Sequence, residues 1–367
     1  MHNKYIKFFV FSLFVIVVSF AVTYHFVLNF EKFPSLNKYY INKINEKYYS
    51  DKQFGIFDMF GGSFKTFILN NDTPKLLDKL YANLDNESIE KVNLALNAIL
   101  HIPDTSYMKY FYFRSKEFEK DFTLKLNTFT LDKIPRSEIA EIEKKYILPE
   151  GVEYFSGVFL HEHNLRFAND KIKNYIKDKI FIDGGAFVGD SALVLLKYNP
   201  SLIYSFEMSK QNIERFHQTM KMNNVPKNKV ELIEYAISDS VGEHKIRGRW
   251  EMEGIEPTIP LKNEGITVKS TDIDTFMKDK NGKVGFIKAD LQGIMHKAVN
   301  GMKETIKRDR PVLFLDISDS PQDFFYTKPI IEDILKDLNY TLKITSLNAS
   351  VSIVGTAIWA YPKELEE

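Results

Sequence analysis

A short apolar run that ends in a cluster of small residues constrains this chain more than any other feature. Residues 180–182 read Ile-Phe-Ile, residues 183–186 read Asp-Gly-Gly-Ala, and Gly189 follows. The apolar run is typical of a strand buried on both faces, and small residues at a turn let a ligand approach the backbone. Residues 190–197 predict a helix whose free N–H groups favour an anionic group. Strand, glycine turn and helix together predict a nucleotide-cofactor site in an α/β domain.

A carboxylate closes the next predicted strand. Residues 202–206 predict this strand, and Glu207 follows it, about 20 residues after the glycine turn, which is the spacing of a ribose ligand. Such a carboxylate can accept hydrogen bonds from both ribose hydroxyls, although it could also be a solvated charge at a strand end. A helix over 210–223 and a strand over 230–235 continue the alternation. The missing Gly-x-Gly-x-x-Gly fingerprint argues against NAD.

These segments resemble a known family, the FkbM family of S-adenosylmethionine-dependent methyltransferases, over residues from about 151 to 362. The resemblance is carried by Phe-Ile-Asp-Gly-Gly-Ala-Phe-Val-Gly-Asp-Ser (181–191), Ser-Phe-Glu (205–207), Ala-Ile-Ser-Asp (236–239), Thr-Asp-Ile-Asp (271–274) and Ile-Lys-Ala-Asp-Leu-Gln-Gly (287–293). It implies a class I methyltransferase fold, which is an α/β Rossmann-like sheet of seven strands with helices on both faces. It also implies S-adenosylmethionine as cofactor and methyl transfer to a hydroxyl oxygen, often on a sugar or a polyketide.

The resemblance also implies a set of cofactor-binding residues. They are Asp183, Gly185, Ala186, Gly189, Glu207 and Asp239. The first three would line the methionine end of the cofactor, Glu207 would hold the ribose, and Asp239 would lie near the adenine. Lys288 and Asp290 would face the transfer site from the end of the fourth strand.

Methyl transfer to an alcohol needs an aligned hydroxyl oxygen and a base that removes its proton. Asp290 is the first candidate for this catalytic base, followed by Asp319 and His296. Asp290 could instead orient the cofactor or cap a helix. The family usually reads Lys-x-Asp-x-Glu-Gly-x-Glu at the fourth strand, whereas this chain has Gln292 and Met295 in place of the glutamates. A catalytically impaired relative that binds a glycan or a protein partner is therefore the alternative function.

The N-terminal segment predicts a membrane anchor. Residues 8–30 contain no Asp, Glu, Lys or Arg, and as a helix they would span roughly 34 Å, enough to cross a bilayer core. A cleaved signal peptide is the alternative, because 19–21 read Ser-Phe-Ala, a small-x-small pattern. Lysines follow the segment at 32, 38, 43 and 47, which slightly favours a single-pass protein with a cytoplasmic body. Signal cleavage would instead give an exported domain.

Residues 31–150, between the predicted anchor and the methyltransferase-like segment, are predicted to form a mainly helical accessory region. Ser88 to Leu100 has apolar residues at helical spacing, with Asp85 or Asn86 as a candidate cap. The predicted domains are therefore 1–30, 31–150 and 151–367. The sequence gives no indication of the oligomeric state.

Composition excludes several functions. The 49 Lys and Arg balance the 49 Asp and Glu, so nothing draws the chain to nucleic acid. The absence of cysteine excludes disulfides, thiolate nucleophiles and zinc–cysteine sites. The run His-Glu-His at 161–163 suggests metal binding on one face of a strand, but without an assignable third ligand a solvated or packed strand is favoured. The expected partners are a small-molecule or glycan acceptor and, through residues 8–30, a membrane.

Overall fold

The computed structural model describes residues 56–58, 61–100, 109–111, 141–142, 144–152, 154–246, 266–346, 353 and 355–366. The predicted anchor at 8–30 lies outside the described residues. Within them, no helix combines the length and the apolar character that crossing a membrane requires.

The described strands and helices alternate along most of the chain. The strands are β1 (Ile56–Asp58), β2 (Lys109–Phe111), β3 (Ile180–Gly184), β4 (Leu202–Phe206), β5 (Val230–Ile233), β6 (Ala236–Ile237), β7 (Gly242–Ile246), β8 (Ile266–Thr271), β9 (Val284–Ala289), β10 (Val312–Asp316), β11 (Tyr340–Ser346) and β12 (Thr356–Pro362). The α-helices are α1 (Gly61–Asn70), α2 (Thr73–Tyr81), α3 (Asn86–Leu100), α4 (Ser156–Phe159), α5 (Asp170–Ile176), α6 (Asp190–Leu195), α7 (Lys210–Met222), α8 (Ile273–Met277), α9 (Met295–Ala298), α10 (Lys303–Asp309) and α11 (Pro321–Leu335).

The central sheet has seven strands in the order β11-β12-β10-β9-β3-β4-β5. The five strands from β10 to β5 are parallel, whereas β12 is antiparallel to both β10 and β11. The chain builds outward from β3 in one direction through β4 and β5, and in the other direction through β9 and β10. In open α/β sheets, ligands bind outside the carboxyl ends of the strands where the order reverses in this way. This rule predicts that a ligand-binding site lies at the carboxyl ends of β3 and β9.

Apolar strands explain why this sheet is buried on both faces. Phe181, Phe286 and Phe314 point to the face that α5 covers, while their neighbours Ile182 and Ile287 point to the face that α11 covers. Side chains alternate between the two faces of a strand, so a continuous apolar run needs helices on both sides.

Two predicted elements end earlier than the sequence indicates. The third predicted strand ends at Ile233, because the Tyr235 N–H donates to the Ile233 carbonyl in a tight turn. The helix after the glycine turn ends at Leu195 and continues as a 3₁₀ turn over Leu196–Tyr198. Asn199 then adopts φ +51°, which stops the helix before Pro200.

The helices α1 to α3 share a hydrophobic core with the sheet. The Phe64 ring meets the Phe324 ring edge-on at 5.7 Å, and α3 lies along β11. The Ser88 hydroxyl accepts a hydrogen bond from the Ile344 N–H at 2.9 Å. Asp85, one of the two predicted caps, accepts the Ser88 N–H at 2.7 Å. These helices therefore extend the core over the far edge of the sheet.

Candidate cofactor and active site

The turn between β3 and α6 has no room for side chains at its glycines. Gly185 has φ +71°, and a Cβ there would lie 2.0 Å from the Asp290 carbonyl oxygen. Gly189 has φ +85°, and a Cβ there would lie 2.9 Å from Phe216 on α7. The first glycine lets this turn pack directly against the turn that follows β9, so the cofactor and acceptor halves of the predicted site are in contact.

Glu207 joins the glycine turn to the end of β4. Its Oε2 accepts the Phe187 N–H at 2.9 Å, and its Oε1 accepts the Met208 and Ser209 N–H groups, both at 2.8 Å. The structure thus brings together the two residue groups that the sequence assigns to the cofactor. A carboxylate has about four lone-pair sites, and these contacts fill three of them. A ligand that uses both oxygens would therefore displace one of these N–H groups.

Burial affects the charge of Glu207. The carboxyl group is buried, and this burial raises its pKa, although the three backbone N–H groups and the nearby Lys288 act in the opposite direction. The hydrogen-bond pattern, in which Glu207 only accepts, is that of the ionised form.

A buried ion pair lies directly beneath the turn. The Lys288 Nζ lies 3.1 Å from the Asp183 Oδ1 and donates to the carbonyls of Gly184 at 3.1 Å and Gly185 at 2.8 Å. The Ser205 hydroxyl donates to the other Asp183 oxygen at 3.1 Å. Burial alone would lower the pKa of Lys288, but the surrounding carboxylates outweigh it and raise the pKa. The lysine therefore ties β3 to β9 as a cation, and Asp183 lies below the turn rather than on its surface.

The two remaining cofactor candidates differ in exposure. The Ala186 side chain is fully buried with Phe216, so only its backbone can face a ligand. Asp239 is exposed after β6, and its Oδ1 accepts the hydroxyls of Ser238 and Ser240 at 3.2 and 3.3 Å. Two residues before it, Ile237 packs on Gly184, which brings this segment to the carboxyl end of β3.

Two of the three predicted catalytic residues, Asp290 and Asp319, lie together at the ends of β9 and β10, whereas His296 lies on α9. The Asp290 Oδ1 accepts the Gln292 side-chain amide at 3.0 Å. Asp319 forms a hydrogen bond with Asp290, and burial together with the Asp290 and Asp316 carboxylates raises the pKa of Asp319 well above its ordinary value. This shift favours the protonated form of Asp319, which donates a hydrogen bond, over the ionised form that a base requires.

His296 is paired with an aspartate that the sequence analysis did not single out. Its Nδ1 lies 2.7 Å from the Asp323 Oδ1, and the same oxygen accepts the His296 backbone N–H at 2.9 Å. The side chain of Asp323 is 1% exposed and that of His296 is 18% exposed. A carboxylate on Nδ1 fixes the ring and leaves Nε2 as the free acceptor, which is the arrangement of an oriented general base. The sequence shows Asp323 only as an acidic residue in the first turn of a helix. Its role was missed because its partner, His296, lies on a different helix.

The two positions that depart from the family pattern differ in this structure. Gln292 is exposed and has φ +50°, whereas Met295 is fully buried in the core beneath α11. A carboxylate at position 295 would be desolvated among apolar side chains. Met295 therefore acts as a packing residue in this chain.

The run at 161–163 forms a turn rather than the strand that the sequence interpretation assumed. Glu162, His163 and Asn164 all have positive φ, and the His163 Nε2 lies 2.9 Å from the Ser191 Oγ. Among the residues that the structure describes, no group of three or more His, Asp or Glu side chains has the arrangement of a metal site.

Asp316 should make the stability of the protein depend on pH. Burial, and then the Asp290 charge, raise the pKa of Asp316 from 3.8 to about 8. The folded protein therefore holds a proton that an unfolded aspartate releases, so stability falls as the pH rises between these values. We expect Asp316→Asn to reduce this fall by roughly 3–4 kcal/mol between about pH 5 and about pH 8. Urea denaturation across this pH range measures the effect.

The control for this measurement is Asp333→Asn. Lys336 lowers the pKa of Asp333, so this group stays ionised across the whole range and its removal should leave the pH dependence unchanged. Equal slopes in wild type and Asp316→Asn would contradict the assignment.

The strand order and the glycine turn define an α/β methyltransferase-like fold with a mostly parallel seven-stranded sheet. Residues 183–342 match the family model described as the methyltransferase FkbM domain. This match falls on the segments whose motifs resemble the FkbM family, so it confirms that resemblance.

Several solved methyltransferase structures are similar to this chain. The methyltransferase FkbM from Methylobacillus flagellatus KT aligns at 16% identity with a TM-score of 0.50, over 83% of this chain and 61% of that chain. This chain thus spans about three fifths of that relative. A putative methyltransferase from Streptococcus mutans in complex with SAH aligns at 13% identity and TM-score 0.34, over 52% and 93%. A precorrin-6y C5,15-methyltransferase from Geobacter metallireducens GS-15 aligns at 10% identity and TM-score 0.35, over 60% and 94%. No curated protein matches the chain.

Proposed function

We propose that this protein is an S-adenosylmethionine-dependent O-methyltransferase that acts on a hydroxyl of a sugar, glycan or lipid-linked acceptor at a membrane. The observation that carries the proposal is the contact between Glu207 and the glycine turn at 2.9 Å, within an FkbM domain and at the point where the strand order reverses. A carboxylate beside a turn without side chains suits a ligand that combines a ribose with a close approach to the backbone.

The groups around this turn fit the chemistry of methyl transfer. When bound, S-adenosylmethionine supplies a positively charged methyl donor. In this proposal the His296 Nε2, held in orientation by Asp323, accepts the proton of the acceptor hydroxyl. Asp319, through its hydrogen bond to Asp290, holds that carboxyl group in place. Asp290 is the second candidate for the base, since it lies where the acceptor half meets the glycine turn.

One observation favours a second candidate function, a binding module without activity. Asp290 already accepts the Gln292 amide and bonds to Asp319, so both contacts occupy the group that the motif makes the first candidate base. Cofactor binding without methyl transfer to any member of a panel of glycan acceptors would support this module. Methyl transfer would exclude it.

The cofactor assignment is tested by replacing Glu207. We expect Glu207→Ala to weaken binding of S-adenosylmethionine by about 100-fold, because two hydrogen bonds to a charged acceptor are lost. Isothermal titration of the full chain in detergent measures the affinity. The control is Glu214→Ala, since Glu214 is exposed on α7. No binding by the wild type would refute the proposed function, and unchanged binding by Glu207→Ala would refute the site.

The membrane context rests on residues 8–30. We propose that they anchor the protein with its methyltransferase domain on the cytoplasmic side, and the alternative is export after signal cleavage. A topology reporter fused after Glu367 distinguishes the two, because it is active on only one side of the membrane.

A further inference from the structure

An unusual side chain occupies the middle of the glycine turn. Phe187 has φ +50°, a region that disfavours bulky side chains. Its backbone is fixed there by the hydrogen bond from its N–H to Glu207 at 2.9 Å. Its ring is partly exposed. A large residue held in this conformation at a ligand-binding turn suggests that the ring itself has a role.

A second aromatic ring faces Phe187 from outside the turn. The Phe155 ring centroid lies 6.4 Å from that of Phe187, with the planes at 62°, and Phe155 is 39% exposed. Its carbonyl accepts the N–H groups of Val158 and Phe159, the last two residues of α4. Phe159 is buried against Leu193 on α6. Packing of α4 on α6 therefore fixes Phe155 beside the turn while its ring stays open to solvent.

The charges around these rings favour a cationic ligand. Glu207 contacts the Phe187 N–H, and Asp290 packs against Gly185. The cation beneath the turn, Lys288, is buried and already engaged by Asp183 and two carbonyl oxygens. The face of an aromatic ring attracts cations, most strongly where water is excluded.

We propose that Phe187 and Phe155 form an aromatic wall that recognises the positive charge of the sulfonium, so that the protein prefers S-adenosylmethionine to its neutral product S-adenosylhomocysteine. This inference rests on the proposed function. The sulfonium joins the methionine part of the cofactor to its ribose. Phe187 directly follows Ala186, which is assigned to the methionine part of the cofactor. Its own N–H donates to Glu207, which is assigned to the ribose.

The test is the ratio of two affinities, measured by isothermal titration of the full chain with S-adenosylmethionine and with S-adenosylhomocysteine. We expect Phe187→Leu to weaken S-adenosylmethionine binding by about 3- to 10-fold, with less than about a 2-fold change for S-adenosylhomocysteine. Phe155→Leu should act in the same direction, by about 2- to 3-fold. Phe187→Trp keeps an aromatic face and should preserve the ratio.

Phe167→Leu is the matched control. Phe167 is 41% exposed, and its ring packs on the His161 ring, with 5.5 Å between the ring centroids. Its replacement should therefore leave both affinities unchanged. Equal weakening of both ligands by Phe187→Leu, or no weakening, would overturn the inference. Glu207→Ala should weaken both ligands alike because they share the ribose. A wild type that binds neither ligand would instead refute the proposed function, and the inference with it.

Discussion

Gly185→Ala is expected to destabilise the protein by about 3–5 kcal/mol, the sum of a left-handed backbone penalty and a steric overlap. The added Cβ would lie 2.0 Å from the Asp290 carbonyl oxygen, and a backbone atom cannot move aside as a flexible side chain can. Relief requires the glycine turn to separate from the turn after β9. We therefore expect the variant also to lose measurable binding of S-adenosylmethionine. Urea denaturation and isothermal titration measure the two effects.

Gly151→Ala separates the two causes of this destabilisation. Gly151 has φ +79°, close to the +71° of Gly185, but a Cβ there would have no heavy atom within 4 Å. This variant should cost only about 1–2 kcal/mol, the backbone penalty alone. If the two alanine variants were equally stable, the close approach between the turns would not exist in the folded protein.

Lys288→Met is expected to cost about 3–5 kcal/mol, because it leaves the Asp183 carboxylate buried without a counter-ion. The side chains of Lys288 and Asp183 are 3% and 0% exposed, so solvent cannot compensate. The carbonyls of Gly184 and Gly185 lose their shared donor as well. The double variant Asp183→Asn/Lys288→Met removes both charges and should recover most of the loss. Unfolding free energies from urea denaturation complete this double-mutant cycle.

An exposed ion pair provides the comparison for this cycle. Lys343 and Asp85 are 3.8 Å apart and each is 42% exposed, so Lys343→Met should change stability by less than about 1 kcal/mol. A loss in Lys288→Met no larger than this, or a double variant as unstable as the single one, would contradict the buried pair.

The part of the site that could be predicted is the part that is local in sequence. The glycine turn directly follows β3, and Glu207 directly follows β4. Because β3 and β4 are parallel neighbours, their carboxyl ends lie side by side. The motifs therefore sufficed to predict that Glu207 lies beside the turn, and the family resemblance sufficed to predict the sheet. Asp85 was one of the two predicted helix caps for the same reason, since a cap acts within three residues of its own position.

The remainder depends on contacts between distant elements. Asp323 reads as an acidic residue in a helix N-terminus, and only the packing of α11 on α9 places it against His296. Met295 was interpreted as a lost acid because the motif does not show which way the side chain points. Lys288 was expected to face the transfer site, whereas the register of β3 and β9 turns it toward Asp183. The run 161–163 was assigned to a strand because consecutive positive φ angles leave no pattern in the sequence.

The shared core of α1 to α3 and the far edge of the sheet has a consequence for how the chain is made. The hydrogen bond between Ser88 and Ile344 joins residues that are 256 positions apart in the sequence. The early helices therefore leave the ribosome long before β11 has been synthesised. At ordinary elongation rates this delay is about 10–50 s. For that time Phe64, Leu80 and Val92 lack the surfaces of α11 and β11 on which their helices pack in the folded protein, so the early helices have only contacts with one another.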